Sequence, residues 1–232
     1  MMLELNKLYL MDCMIGMKTF PDKYFDLAIV DPPYGIGASA QDNRKRGKLG
    51  SHYKIKDWDN SIPPKKYFIE LKRVSKNQII WGGNYFGLNG SPCWLVWNKK
   101  TVGNTADCEL AWTSFITGVK RFDFLWEGFW QENMKQKETR IHPTQKPIQL
   151  YKWILHNYAK PDFKIIDTHV GSGSSIIAFL DYGCEWIGFE IDEDYHKAAS
   201  ERIRIHKKRP KPFFTDGQLA GKNIKQKGFF DK

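Results

Sequence analysis

Apolar positions fall in short dense runs separated by polar, glycine- and proline-containing stretches, a pattern that predicts strands joined by loops and amphipathic helices. The run Phe25 to Val30 is apolar at nearly every position and ends at Asp31-Pro32-Pro33-Tyr34, as expected of a strand buried on both faces and closed by a stiff turn. Strands are also predicted at Lys7 to Leu10, Gln78 to Trp81, Cys93 to Trp97, Glu109 to Phe115 and Phe122 to Trp126, where aromatic and β-branched residues concentrate. Helices are predicted from Asp12 and over Pro64 to Ser75. Residues 35 to 63 have no clear period and read as a long loop, a length that in compact domains goes with function or mobility.

The last third has the clearest order. A helix over Pro147 to Tyr158 starts on a proline, and a strand follows at Lys164 to Asp167. The glycine turn Gly171-Ser172-Gly173 leads into a helix at Ser174 to Tyr182, a strand at Trp186 to Glu190 and a helix at Glu193 to Lys207. This βαβ unit is the building block of an α/β fold with a doubly wound, mostly parallel sheet. There is no internal repeat, and beyond Pro210 the chain turns polar and basic, as expected of a loosely ordered tail.

Composition narrows the class. With 232 residues, 41% hydrophobic and 15% aromatic, the chain suits one large packed domain and not a disordered one. No apolar run has the length of a membrane span, and Met1 to Asp12 lacks the pattern of a secretory signal, so no membrane association is expected. The four cysteines (Cys13, Cys93, Cys108, Cys184) form no CxxC pair and read as reduced cytoplasmic thiols. His142, His156, His169 and His196 have no paired metal spacing, so no metal is expected.

Charge adds a partner class. The formal net charge is +10, and from Arg202 to Lys232 ten basic side chains face only Asp216 and Asp231. A second cluster comprises Arg44, Lys45, Arg46, Lys48, Lys54 and Lys56. Such patches suit a polyanion such as nucleic acid, or equally a solubilising tail and a solvated loop.

Two motifs carry candidate chemistry. In Asp167-Thr168-His169-Val170-Gly171-Ser172-Gly173-Ser174, glycines between strand and helix let backbone approach a nucleotide-like ligand closely. Glu190, ending the next strand, is placed to accept hydrogen bonds from both ribose hydroxyls. The turn has GxG without the third glycine of pyrophosphate sites, which fits a single nucleoside with a short charged arm, such as S-adenosylmethionine, better than a dinucleotide. In the second motif the Asp31 carboxylate and the Pro32 carbonyl can each accept one N–H of an exocyclic amine. Together they favour a pyramidal nitrogen whose lone pair points at a methyl donor. Pro33 stiffens the turn, and Tyr34 is placed to stack on a base flipped out of the duplex.

Taken together, Asp31-Pro32-Pro33-Tyr34, His142-Pro143-Thr144-Gln145-Lys146-Pro147 and Asp167 to Ser174 resemble the β-class amino DNA methyltransferases, in which the catalytic half precedes the cofactor half. The resemblance runs from about Tyr9 to Lys207. It implies a Rossmann-like, mostly parallel seven-stranded sheet in permuted order, with S-adenosylmethionine as cofactor and double-stranded DNA as partner. The cytoplasm of a bacterium or phage-infected host is the implied location, and a homodimer and a cognate restriction endonuclease are partners it leaves open. One methyltransferase domain is expected over residues 1–210, made of a catalytic half (about 1–117), a short recognition segment (118–140) and a cofactor half (141–210), followed by a basic tail (211–232).

By residue, the resemblance implies Asp12 and Cys13 at the cofactor adenine, and Thr144 and Lys146, with His142, near the methionine carboxylate. Asp31, Asp167, His169, Gly171, Ser172, Gly173, Ser174, Glu190 and Ile191 complete the implied cofactor crevice, and Gly82-Gly83-Asn84 walls the target-base pocket. The chain departs from the family by having Thr168-His169 where Pro-Phe is usual, and His169 is expected to pack without catalysis. It departs again in the brevity of residues 118–140, so DNA contacts are expected on Arg44, Lys45, Arg46 and Lys48 and on Lys207, Lys208 and Arg209. The aspartate heading the motif favours adenine N6 as the methyl acceptor. Cytosine N4 is the alternative, ahead of an RNA or protein amino group or an inactive nucleic-acid-binding module.

Overall fold

A strand that is apolar at successive positions needs apolar layers on both faces, and β2 (Phe25–Val30) has them. Leu27 and Ile29 point into one layer, and Ala28 and Val30 into the other, the alternation of a pleated strand. The computed structural model describes residues 1–40, 56–101, 106–127 and 130–209. In chain order its elements are β1 (Lys7–Leu10), α1 (Cys13–Met17), β2, α2 (Lys65–Val74), β3 (Ser75–Trp81), β4 (Trp94–Asn98), β5 (Cys108–Thr113), β6 (Lys120–Asp123), β7 (Trp126–Glu127), β8 (Trp130–Gln131), α3 (Ile148–Tyr158), β9 (Lys164–Asp167), α4 (Ser174–Tyr182), β10 (Glu185–Glu190) and α5 (Glu193–Lys207).

Among the described residues the main sheet has the order β1-β10-β9-β2-β3-β5-β4-β6, and β7 pairs with β8 alone. Only β5 runs antiparallel to its neighbours. This is the doubly wound, mostly parallel α/β sheet expected from the sequence, but with eight strands in place of seven. The extra strand, β6, pairs with the outer edge of β4. The single strand expected at Phe122 to Trp126 is divided, its first part in β6 and its end in the β7–β8 hairpin.

Helices close both faces. On one, Met17 of α1 and Tyr67, Leu71 and Val74 of α2 pack on Ala28, Ile80, Ile166 and Ile187. On the other, Leu150 and Ile154 of α3, Ile176 and Phe179 of α4, and Ala199 and Ile203 of α5 cover Leu27, Ile29, Ile79 and Ile165. Each fully buried isoleucine contributes roughly 1.5–3 kcal/mol, so the sheet centre is the most strongly fixed part of the molecule. Local signals set the helix ends. The Asp192 carboxylate accepts the Tyr195 N–H at 3.0 Å at the start of α5, Glu193 and Asp194 follow in its first turn, and Gly183 ends α4 at φ 88°. No helix among the described residues is long and apolar enough to cross a membrane. All four cysteines are free thiols.

The strand order decides where a ligand can sit. From β9 the chain crosses to β10 on one side, and from β2 it crosses to β3 on the other, while β2 and β9 are parallel neighbours. The connections therefore diverge between these two strands and leave a crevice outside their carboxyl ends. Asp31, which follows β2, and the turn from Thr168, which follows β9, both open onto it.

Candidate active site

The segment after β2 is held from outside itself. Asp59, buried in the loop before α2, accepts the backbone N–H of Tyr34 at 2.7 Å, of Gly35 at 2.9 Å and of Ala38 at 2.8 Å. Three such bonds to one carboxylate fix the backbone that leaves Asp31-Pro32-Pro33. The Tyr34 ring stacks on Tyr85 with centroids 5.1 Å apart and a 14° interplanar angle. Gly82 makes room for that ring: at φ +70° it adopts a left-handed conformation, and a Cβ there would fall 2.1 Å from a Tyr34 ring carbon.

Asp31 has both oxygens engaged. Oδ1 accepts the Tyr34 hydroxyl at 2.7 Å, and Oδ2 accepts the Lys146 ammonium at 2.6 Å. Lys146, whose side chain is 2% exposed, also donates to the Tyr34 hydroxyl oxygen at 3.0 Å and lies 3.0 Å from Glu109 Oε2. Glu109 in turn pairs with Lys99 at 2.5 Å. Two cations and two carboxylates thus meet around the buried Lys146 in a part-buried cluster without net charge, the condition under which buried charge is tolerated. Burial pushes the Asp31 carboxyl up and Glu109 adds to that, against the opposing pull of Lys146. Burial acts the same way on Glu109, but Lys146 and Lys99 outweigh it and hold it down at about 2.

Across the crevice, Glu190 ends β10 and braces the glycine turn. Its Oε2 accepts the Gly171 N–H at 2.7 Å and its Oε1 the Asp192 N–H at 2.9 Å. Asp167 accepts the Ser175 hydroxyl at 2.5 Å and the His169 N–H at 3.0 Å, so it shapes the turn from behind. Burial raises its carboxyl to about 7. His142 lies between Trp58, at 5.1 Å, and Tyr195, at 4.2 Å between centroids. Burial, with Lys146 adding to it, pushes the His142 imidazole down to about 3. His169 packs edge-on against Tyr67 at 5.4 Å, and burial pushes it down to about 4. Both rings are neutral at pH 7.

Two cavities open from this framework. One of about 260 Å³ is lined by the turn from His169 to Ser172, Glu190, Ile191, Asp192, His142 and Tyr195. The other, of about 600 Å³, is lined by Tyr34, Trp97, Lys99, Glu109, Trp126 and Arg140 among others. Asp31, Pro33, Trp58, Thr144, Gln145 and Lys146 line both. The Trp58 indole N–H is buried on this shared wall without a partner among the described residues, a donor left for a ligand.

A family model described as DNA methylase of the N6/N4 type matches residues 89–201. The type II methyltransferase M.HinfI of Haemophilus influenzae is 26% identical over 95% of this chain and 73% of its own. By these two matches the chain is similar to amino DNA methyltransferases. Solved structures agree on the fold. The M1.HpyAVI–SAM complex aligns with a TM-score of 0.51 at 16% identity, covering 85% of this chain and 98% of that one. The cytosine-N4-specific PvuII DNA methyltransferase aligns at 0.54 with 12% identity, covering 92% and 88%.

The smaller cavity suits S-adenosylmethionine, the cofactor expected from the sequence. A carboxylate stands at a strand end, a glycine turn faces it, Ile191 presents an apolar side chain 67% exposed, and Trp58 offers its unpartnered N–H. The structure gathers Asp31, His142, Thr144, Lys146, His169, Gly171, Ser172, Glu190 and Ile191 around that cavity. Asp167, Gly173 and Ser174 stand behind the turn, where the Ser174 hydroxyl accepts from Arg202 at 2.9 Å. Asp12 caps α1, accepting the Met14 N–H at 2.8 Å, and neither it nor Cys13 lines the cavity. Lys146, expected near a methionine carboxylate, has its ammonium on Asp31 and Glu109 instead.

The basic clusters separate. Arg44, Lys45, Arg46 and Lys48 lie outside the described residues, as does the tail beyond Arg209. Lys207, Lys208 and Arg209 follow α5 away from the crevice, about 22 Å at the rise of an α-helix, and the Lys207 ammonium lies over Trp186 at the far end of β10. The structure therefore does not bring them to the site. Within 118–140 the described residues touch both halves: β6 pairs with β4, and Glu138 pairs with Arg202 at 2.6 Å. Sequence reasoning missed Asp59, Trp58, Lys99 and Glu109. Only Glu109 left a signal, a lone acid inside the mostly apolar run Cys108–Thr113.

Proposed function

We propose that this methyltransferase acts on the exocyclic amino group of a flipped-out base in double-stranded DNA, with adenine N6 as the acceptor. The observation that carries the reading is the position of Asp31 on the wall shared by the two cavities, so a carboxylate stands where a bound cofactor and a bound base would meet. S-adenosylmethionine, when bound, supplies a methyl group made electrophilic by the sulfonium. The chain's residues then orient the amine. Asp31 and the Pro32 carbonyl accept its two N–H bonds, which draws the nitrogen lone pair out of the ring and aims it at the methyl group. Asp31, or water beside it, takes the proton that the methylated nitrogen sheds. Tyr34, Trp97 and Trp126 line the larger cavity, where the base would lie. A volume of about 600 Å³ leaves room for a purine, which agrees with the aspartate at the head of the motif.

On the cofactor side, Glu190 holds the ribose, Ile191 and His169 pack on the nucleoside, and Gly171 and Ser172 let it approach the backbone. The phosphate contacts fall to Arg44, Lys45, Arg46 and Lys48, which continue directly from the Tyr34 segment. Lys207, Lys208 and Arg209 are left a minor part because α5 carries them away. Replacing Glu190 by alanine is expected to weaken S-adenosylmethionine binding by roughly 1.5–3 kcal/mol, the range for hydrogen bonds to a charged group. Calorimetry reads this directly, and unchanged affinity would put the cofactor elsewhere. The acceptor class is tested by offering labelled S-adenosylmethionine with DNA, RNA and protein in parallel. Label in DNA alone is expected, and label only in RNA or protein would overturn the reading.

A further inference from the structure

Glu109 has no part in the chemistry so far, yet it is a charged residue set into an apolar strand and turned toward the catalytic carboxylate. Its Oε2 lies 3.0 Å from the Lys146 ammonium, and that ammonium sits 2.6 Å from Asp31 Oδ2. Lys146 has three N–H donors, and Asp31, Tyr34 and Glu109 surround them. An ammonium at this place occupies the position on Asp31 that the target amine needs. If Asp31 were its only carboxylate partner, moving it away would strand a buried cation, at high cost. With a second carboxylate on its other side, the ammonium can move between partners without leaving the cluster or gaining exposure.

We propose that Glu109 is a positioning residue for methyl transfer, taking the Lys146 ammonium from Asp31 when the target amine arrives and so freeing the oxygen that accepts the amine. The inference rests on the reading of Asp31 as the acceptor of that amine. No covalent step is involved: one N–H···O contact of Lys146 is exchanged for another, and the amine takes its place. Lys99, on Glu109 at 2.5 Å, keeps the four-group cluster neutral, so Glu109 stays ionised.

The charge balance gives this role a signature that a packing role lacks. The groups facing Asp31 are Tyr34 on its own loop, Lys146, Glu109 on β5, Tyr67 on α2, Tyr151 on α3 and Asp167 at the end of β9. The three phenols are pushed well above 10, by burial first, and remain neutral. Asp167, raised to about 7, is common to every variant below. Because the Glu109 charge pushes the Asp31 carboxyl up, removing that charge lets it fall, and the acid limb of the rate profile moves to lower pH.

The test is single-turnover methylation of duplex DNA across pH 5–9 by the full-length enzyme and its variants. Glu109→Gln is expected to lower the plateau rate roughly ten- to a hundredfold, as a displaced reacting group does, and to shift the acid limb down. S-adenosylmethionine affinity by calorimetry should stay within a few-fold. Glu109→Asp, which keeps the charge, should recover part of the plateau and leave the limb at the wild-type position. Lys99→Met removes a positive charge from the same cluster, so its limb should move the opposite way, an independent check if Glu109→Gln does not fold. A wild-type plateau in Glu109→Gln overturns the proposal. So does a lowered plateau with no shift and no rescue, which describes a packing role. Asp31→Ala separates the two levels: if it still transfers methyl groups, the reading beneath fails, whereas an inactive Asp31→Ala beside a normal Glu109→Gln removes only the role of Glu109.

Discussion

Asp31→Ala is expected to abolish methyl transfer, to the detection limit of a labelled assay, while S-adenosylmethionine binding stays within a few-fold of wild type. The substitution takes away the proposed acceptor of the amine N–H, the one carboxylate that lines both cavities among the described residues. Glu109 is committed to Lys99 and Lys146, and the neighbouring prolines offer carbonyls only. The fold should survive. Lys146 keeps Glu109 as a partner, and Tyr34 keeps its stacking on Tyr85 and its backbone bond to Asp59. The glycine turn is braced by Glu190 and Asp167, neither of which touches Asp31. Near-normal turnover in this variant would remove Asp31 from the chemistry.

Lys146→Met is expected to cost stability more than any other single change at the site. The thioether fills the volume of the lysine stem but leaves Asp31 without its cation and Glu109 with Lys99 alone. Breaking a buried pair by removing one partner typically destabilises by about 3–5 kcal/mol. The loss should depend on pH with a definite sign. Without the ammonium, the folded-state carboxyls titrate above their unfolded values, so stability is present at low pH and is lost as pH rises through the raised values. The gap between variant and wild type should therefore narrow from pH 8 to pH 5. Denaturant melts at both values measure it. A gap below about 1 kcal/mol at pH 8, the size of an exposed pair, would mean that the cluster is open to water.

What the sequence made legible was local. Apolar runs of β2, β9 and β10 located the sheet centre, and their ends located Asp31, the glycine turn and Glu190, because strand ends at a switch point are set by the βαβ order. The eighth strand was legible only in part: a strand was expected at Phe122 to Trp126, but β6 starts earlier, at two exposed basic residues too polar for a periodic signal. The partners inside the site were hidden for a different reason. Lys146 meets Asp31 across 115 positions, and Asp59 reaches Tyr34 across 25 through a segment without period. Pairings of that kind are products of the tertiary fold, and no spacing rule announces them. The basic residues after α5 illustrate the converse. Their charge was plain in the sequence, but the length of the helix that carries them, and so their distance from the crevice, has meaning only once α5 is laid along the sheet.

The most direct test of the account is the identity of the modified base. Duplex DNA incubated with the enzyme and S-adenosylmethionine, digested to nucleosides and separated by mass, is expected to contain N6-methyldeoxyadenosine, and DNA treated with Asp31→Ala to contain none. N4-methyldeoxycytidine as the product would contradict adenine while leaving the amine chemistry intact. DNA without any methylated amino group, from folded enzyme that binds the cofactor, would contradict the central claim.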